Sequence, residues 1–387
     1  MPKRASRSYH STTRNNRGKG EYINPERFIK AASAEQADKY MPLNRFEDFA
    51  IDQLLKSNLA GKGYTEPSPI QDQAIPAGLA GQDIIGIANT GTGKTAAFAI
   101  PVLQRLITEN SSYALIIAPT RELAEQIEGE CKLLAKGSGL FGTLIIGGTG
   151  MGNQLRDLRQ NPRIVIGTPG RIKDHMQRGT LKLDRFNMLV LDEVDRMLDM
   201  GFIRDVTDIL SHTNISRQSF FFSATISNQV RGLIERFTKD PFTIALQASS
   251  ASENVHQDVV RYQTSADKID KLHNLLIQDN VSKALIFDET QRGVERLNKE
   301  LIARGFSAES IHGGKSQGQR QRALAKFKQN QISVLVATDV AARGIDVADI
   351  SHVINFSIPK AYDDYIHRIG RAGRAGQIGH ALTFVAH

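Results

Sequence analysis

The strongest constraint in this 387-residue chain is a rhythm. From Asn44 onward, short apolar, β-branched-rich runs alternate with longer stretches of helical character. The first series is Asp83–Ala88, Ala114–Ala118, Thr143–Ile146, Arg163–Gly167, Met188–Asp192 and Ser219–Ser223. The second is Val259–Gln263, Lys283–Phe287, Ser307–His312, Ser333–Thr338, His352–Phe356 and His380–Val385. Runs apolar on both faces suit buried strands of a parallel sheet, and the spacing leaves room for a crossover helix between strands. The expectation is an α/β chain with two tandem open sheets, each mostly parallel and covered by helices on both faces. Between the series lies the Ser-rich, apolar-poor stretch Gln247–Gln257, which reads as a flexible linker. The expected division is a tail over 1–43, a first domain over 44–246, a linker over 247–257 and a second domain over 258–387.

Composition narrows the functional classes. With 40% hydrophobic and 23% charged residues, the chain is not disordered as a whole. No apolar run is long enough for a membrane-spanning helix, so no membrane partner is expected. The single cysteine, Cys131, rules out an intrachain disulfide and a cysteine-rich zinc site. A buried thiol in a reducing, cytoplasmic setting is the natural expectation. Of the net charge of +8, residues 1–43 hold +5, from nine Lys/Arg and four Asp/Glu. The body is close to neutral, so a nucleic-acid site in it has to be built locally. Residues 1–20 carry six basic residues and no acid. A segment of that kind is expected to be disordered, either a loose tether for phosphates or a plain solvated tail. A short helix is expected near Pro25–Ala37.

Ala88-Asn-Thr-Gly-Thr-Gly-Lys-Thr95 follows an expected strand and precedes a helical run. That is the setting of a phosphate-binding loop. Thr90, Gly91, Thr92 and Gly93 let backbone amides approach an anion, and the helix N-terminus adds its own. Lys94 can reach the outer phosphates and Thr95 can ligate Mg²⁺. Met188-Leu-Val-Leu-Asp-Glu-Val-Asp195 is the complement: a buried strand delivers acids to its C-terminal edge, where open α/β sheets bind ligands. Asp192 would hold Mg²⁺ and Glu193 would orient and deprotonate the attacking water. Together the motifs specify a Mg²⁺-dependent nucleotide hydrolase.

Here the chain resembles the DEAD-box RNA helicases of superfamily 2, from about Phe46 to its end. The acidic signature is Asp192-Glu-Val-Asp195, with Val194 in place of Ala, and the phosphate loop begins with Ala88 as in that family. Gly63–Gln71 matches the adenine-reading element, with Ser68 for Thr and Phe46 upstream. Phe46 would stack on the base, while the Gln71 amide can both accept and donate to adenine. Pro119-Thr-Arg121, Gly147-Gly148 and Thr168-Pro-Gly-Arg171 resemble first-domain RNA contacts. Singly, Thr120 and Thr168 read equally well as helix caps. Ser223-Ala-Thr225 resembles the element coupling hydrolysis to strand separation, bonding near Asp195 and His367.

In the second half, Gln317 and Arg320, then Thr338, match RNA-facing positions. The resemblance assigns Arg343 to the closed interface and Asp346 to the ATP ribose. His367-Arg-Ile-Gly-Arg-Ala-Gly-Arg374, with Ala372 for Thr, would supply Arg371 and Arg374 as arginine fingers. The implied protein has two RecA-like domains and binds ATP and Mg²⁺. Its activity would be RNA-stimulated hydrolysis coupled to domain closure and to local duplex unwinding or ribonucleoprotein remodelling. RNA is the expected partner, gripped by its backbone, with ribonucleoprotein proteins as further partners and a monomer as the expected state. An ATP-gated RNA clamp, a DNA helicase and another phosphate-loop enzyme are the alternatives. No Asn-Lys-x-Asp guanine motif supports the last. The family usually continues beyond the point where this chain stops, at His387.

Overall fold

A computed structural model describes residues 23–32, 40–89, 91–246, 254–342, 347, 349–373 and 378–387. The first lobe contains strands β1 (Ile84–Ile87), β2 (Ala114–Ile117), β3 (Gly142–Ile145), β4 (Ile164–Gly167), β5 (Met188–Leu191), β6 (Gln218–Ser223) and β7 (Phe242–Ala245). They form one parallel sheet in the order β3-β4-β2-β5-β6-β1-β7. The second lobe contains β8 (Val255–Tyr262), β9 (Ala284–Phe287), β10 (Ala308–Ile311), β11 (Val334–Ala337), β12 (His352–Asn355) and β13 (Gly379–Ala386). These are also parallel, in the order β10-β11-β9-β12-β13-β8.

Every residue of β2, β4, β5 and β6 is buried, as is every residue of β9, β11 and β12. Each sheet therefore carries an apolar cluster on both faces. Each fully buried Leu, Ile or Phe of these clusters stabilises by roughly 1.5–3 kcal/mol relative to exposure. Strand order also places the motifs. The loops after β5, β6 and β1, neighbours in the sheet, carry Asp192, the Ser223 element and the phosphate loop. The loops after β3, β4 and β2 carry Gly147, Thr168 and Pro119.

The structure differs from the sequence expectation in three places. The edge strand β7 has one buried side chain in four, too little pattern to announce a strand. Strand β8 begins at Val255, inside the stretch expected as linker, because Val255 is fully buried in the second-lobe core. Residues 23–30, placed by sequence in the tail, lie against the second lobe, with Ile23 and Phe28 in its core and Lys30 bridged to Gln257. Pro25–Phe28 is a single 3₁₀ turn, and residues 33–37 of the expected helix lie outside the described residues. So do residues 1–22 of the tail and 247–253 of the linker.

Gly86 of β1 pairs with Phe222 of β6, and a Cβ at Gly86 would stand 2.4 Å from that ring. Gly86→Ala is expected to destabilise the first lobe by about 1–3 kcal/mol through overpacking. The loss should appear in its urea transition and be partly recovered in Gly86→Ala/Phe222→Leu.

Candidate active site and nucleic-acid interface

The phosphate loop leaves β1 and turns into the Lys94–Thr108 helix. Gly91 and Gly93 have φ of 85° and 91°, conformations open to glycine at no steric cost. At Gly93 space is also short: a Cβ would lie 2.4 Å from the Gln71 amide nitrogen. Ser68 Oγ donates to the Thr92 carbonyl at 2.7 Å, and Gln71 Nε2 donates to the Gly93 carbonyl at 3.1 Å. The Gly63–Gln71 element thus braces the loop from outside. Gln71 Oε1 accepts from the Ser68 amide at 2.9 Å, leaving the side chain one N–H and one lone pair for a base. Phe46 is buried edge-on to Phe49 and Tyr64, a core placement. Tyr64 itself lines the nucleotide cleft, as do Lys62 and Glu130, none of which the sequence singled out. Thr90 lies outside the described residues.

The cleft encloses about 290 Å³ and is lined by Gly91, Gly93, Lys94, Thr95, Asp192 and Glu193 of the first lobe and Arg371 of the second. Lys94 is buried and donates from Nζ to the Ala88 carbonyl at 2.9 Å. Burial pushes the Asp192 carboxyl up to about 6, with the Lys94 charge pulling the other way. Glu193 adopts a left-handed backbone, φ 53° and ψ 55°, rare for a residue with a side chain. That turn sets its carboxylate at the cleft, where Oε2 is buried without a hydrogen-bond partner among the described residues. A buried, unsatisfied oxygen beside a costly buried acid suits a divalent cation and an ordered water. Asp192 and Thr95 are the residues that would hold the ion.

Behind the acids, Asp195 Oδ2 accepts from the Ala224 amide (3.1 Å), the Thr225 amide (2.9 Å) and the Thr225 hydroxyl (3.1 Å). The Asp195 amide donates to Ser223 Oγ at 3.3 Å. The Ser223-Ala-Thr225 element is therefore wired into the acidic turn. His367 lines a small cavity with Arg196 and Arg371 at the lobe boundary, just beyond it. The second-lobe arginines have different tasks. Arg368 makes a two-pronged pair with Asp339, at 2.6 and 2.8 Å, and donates to Asn355 and Ser357. It holds its helix to the sheet, whereas Arg371 reaches the cleft. Arg343, Asp346 and Arg374 lie outside the described residues.

A second cleft of about 400 Å³ runs between the lobes. Pro119, Thr120, Arg121, Gly147, Thr168, Gly170 and Arg171 line one side, and Gly313, Arg320 and Val340 the other. The Arg121 guanidinium lies over Gly147 and Gly148, so close that a Cβ on Gly148 would stand 2.2 Å from it. Thr120 caps its helix by accepting from the Leu123 amide, while the Thr168 hydroxyl makes no cap bond. Pro169 is buried at the start of the helix that follows Thr168, and Thr338 is buried at the end of β11. Gln317 and Arg320 face the other lobe: Gln317 Nε2 donates to Glu125 at 2.9 Å and Arg320 pairs with Glu122 at 2.7 Å. Gln321 adds a bond to Glu125 at 2.6 Å. The acids were invisible as partners in the sequence, because only the fold brings positions nearly 200 residues apart together.

Two nucleotide-competent elements and a basic groove, completed by a second sheet, define a two-lobed ATP-driven nucleic-acid enzyme. A DEAD/DEAH box helicase family model matches residues 68–233, and the helicase conserved C-terminal domain matches 267–376. The ATP-dependent RNA helicase CshA of Listeria monocytogenes is 44% identical over 344 residues, 89% of this chain and 66% of that protein. CshA of Bacillus subtilis is 43% identical over 342 residues, 88% of this chain and 69% of that one. The chain thus spans about two thirds of the length of these relatives. S. cerevisiae Dbp5 bound to RNA and ADP BeF3 superposes with a TM-score of 0.78 at 30% identity, covering 88% of this chain and 89% of that one. A DEAD box protein from Methanococcus jannaschii, although 38% identical, reaches only 0.52 over 88% of this chain and 93% of that one. The chain belongs to the DEAD-box family of ATP-dependent RNA helicases, and its class of activity is RNA-dependent ATP hydrolysis.

The buried acid gives a pH signature. The folded carboxyl of Asp192 titrates above its unfolded value, so its ionisation opposes folding, and stability falls as pH rises from about 4 through about 6. Asp192→Asn is expected to raise the melting temperature of the ligand-free protein at pH 7.5. The gain should shrink as pH falls below 6, and calorimetry across pH 4–8 measures it.

Proposed function

We propose that the chain hydrolyses ATP in the cleft between its lobes and uses closure to grip and bend one RNA strand. The observation that carries this is Arg371, a second-lobe residue lining the same cleft as Lys94, Asp192 and Glu193. Lys94, released from the Ala88 carbonyl, and the amides at Gly91–Gly93 bind the phosphates. Asp192 and Thr95 would hold Mg²⁺, which would supply positive charge against the phosphate oxygens. Glu193 orients the attacking water through its unsatisfied oxygen and takes its proton. Arg371, with Arg374 beside it in sequence, stabilises the charge of the transferring phosphoryl group. Gln71 and Phe46 read the adenine side, and Asp346 the ribose.

RNA lies in the interlobe groove, its phosphates met by Arg121, Arg171 and the free Thr168 hydroxyl. Recognition of 2′-hydroxyls there favours RNA over DNA. The Glu122–Arg320 pair and the Gln317 and Gln321 bonds hold the lobes in register once they meet. His367 and the Asp195–Thr225 contact report the state of the nucleotide to that interface, with Arg343 in support. Both halves of the site belong to one chain, which favours a working monomer, and the lone buried Cys131 fits a reducing cytoplasm. Its thiol is pushed up to about 12 by burial.

Glu193→Gln is expected to bind ATP and RNA normally while losing RNA-stimulated turnover by about 10²–10⁴-fold. Steady-state phosphate release with RNA and with DNA of one sequence checks both points. Wild-type turnover in that variant, or equal stimulation by both polymers, would be the contrary result.

A further inference from the structure

The N-terminal segment joins parts of the site that its composition gave no reason to connect. Phe28 is fully buried, its ring 4.6 Å from that of Tyr365. Tyr365 belongs to the short helix Tyr362–Ile369, and Arg371 follows two residues past that helix. Tyr365 in turn donates its hydroxyl to Gln257 Oε1 at 2.9 Å. The Gln257 backbone exchanges two hydrogen bonds with Lys30, at 3.0 and 2.8 Å. Arg27 lies 3.8 Å above the Tyr362 ring, one turn earlier on the same helix. A helix of eight residues is too short to hold itself and takes its position from tertiary anchors. Arg368 anchors it to the sheet through Asn355 at the end of β12, and to Asp339 just past β11. Phe28 and Arg27 supply a second anchor, and two separate anchors fix both the rotation and the height of the helix. Further along, Tyr40, Leu43 and Asn44 all donate to the buried carboxylate of Asp72, the neighbour of Gln71 in the first lobe.

We propose that Phe28 is a positioning residue for Arg371, the docked N-terminal segment setting the helix that delivers this arginine to the nucleotide cleft. The inference rests on the finger role of Arg371 given above. A finger acts only at the right place, and a displacement near 1 Å can cost about 10²-fold in rate.

The test is a double-mutant cycle on the full chain at saturating RNA, comparing wild type, Phe28→Ala, Arg371→Ala and the double variant. Phe28→Ala is expected to lower kcat by roughly 10- to 100-fold, with KM for ATP within about twofold because the first lobe holds the nucleotide. Phe28→Leu should recover most of the loss. In the Arg371→Ala background, Phe28→Ala should have no further effect, since both substitutions remove one function. An equal factor in both backgrounds marks a merely structural role and overturns the proposal, as does wild-type kcat in Phe28→Ala beside a slow Arg371→Ala. Wild-type turnover in Arg371→Ala instead removes the finger role itself. If Phe28→Ala does not fold, Arg27→Ala, which removes an exposed contact, takes its place in the cycle. The expected loss is then roughly two- to fivefold.

Discussion

The arrangement turns on one contact between the lobes. Glu122 and Glu125, in the first turns of the Arg121–Leu134 helix, meet Gln317, Arg320 and Gln321 of the second lobe. Glu122 and Arg320 are both almost fully buried. Burial pushes the Glu122 carboxyl up, and the Arg320 charge opposes that shift. A buried ion pair adds little net stability, but losing one partner costs about 3–5 kcal/mol because the other is left stranded. A docking that buried either charge without the other would bear that cost, so the pair disfavours other registers. That register brings Arg371 to the cleft that Lys94, Asp192 and Glu193 line, and it closes the basic groove around Gly313 and Arg320.

Within the first lobe, unfavourable local states are held by the sheet. Glu193 sits in a left-handed conformation and Asp192 in a site that disfavours its charge. Both follow β5, a strand buried on every side, whose neighbours β6 and β2 leave it no freedom to relax. Strain of this kind persists where surrounding structure over-determines it, and it is common where a cation and a reacting water are to be placed. The Asp195 carboxylate, tied to Ala224 and Thr225, joins this turn to the loop after β6.

Much of this was legible in the sequence, for a physical reason. The apolar runs had to be strands of a buried parallel sheet, and a Gly-rich loop or an acid pair at a strand end has little packing use. Contacts between distant positions left no local trace. Nothing marks Glu122 as the partner of Arg320, or separates the anchoring Arg368 from the cleft-lining Arg371 three residues later. Averaging hid others: Ile23 and Phe28 are two core residues inside a segment whose overall composition is basic and polar. Phe46, expected on the base, is buried against Phe49 and Tyr64, and Tyr64, which the sequence did not single out, lines the cleft. The exposure of β7, with one buried side chain in four, likewise concealed an edge strand.

The central claim is that ATP and RNA together bring the two lobes into the docking seen here. It is tested most directly by energy transfer between one dye on each lobe, at introduced surface cysteines, the native Cys131 being buried. Glu193→Gln is a suitable background, because it would hold the nucleotide intact. A high-transfer state that forms only with both ATP and RNA, and is lost on replacing Arg320 by Ala, is the predicted result. Transfer that is unchanged by either ligand, or complete with ATP alone, would contradict it.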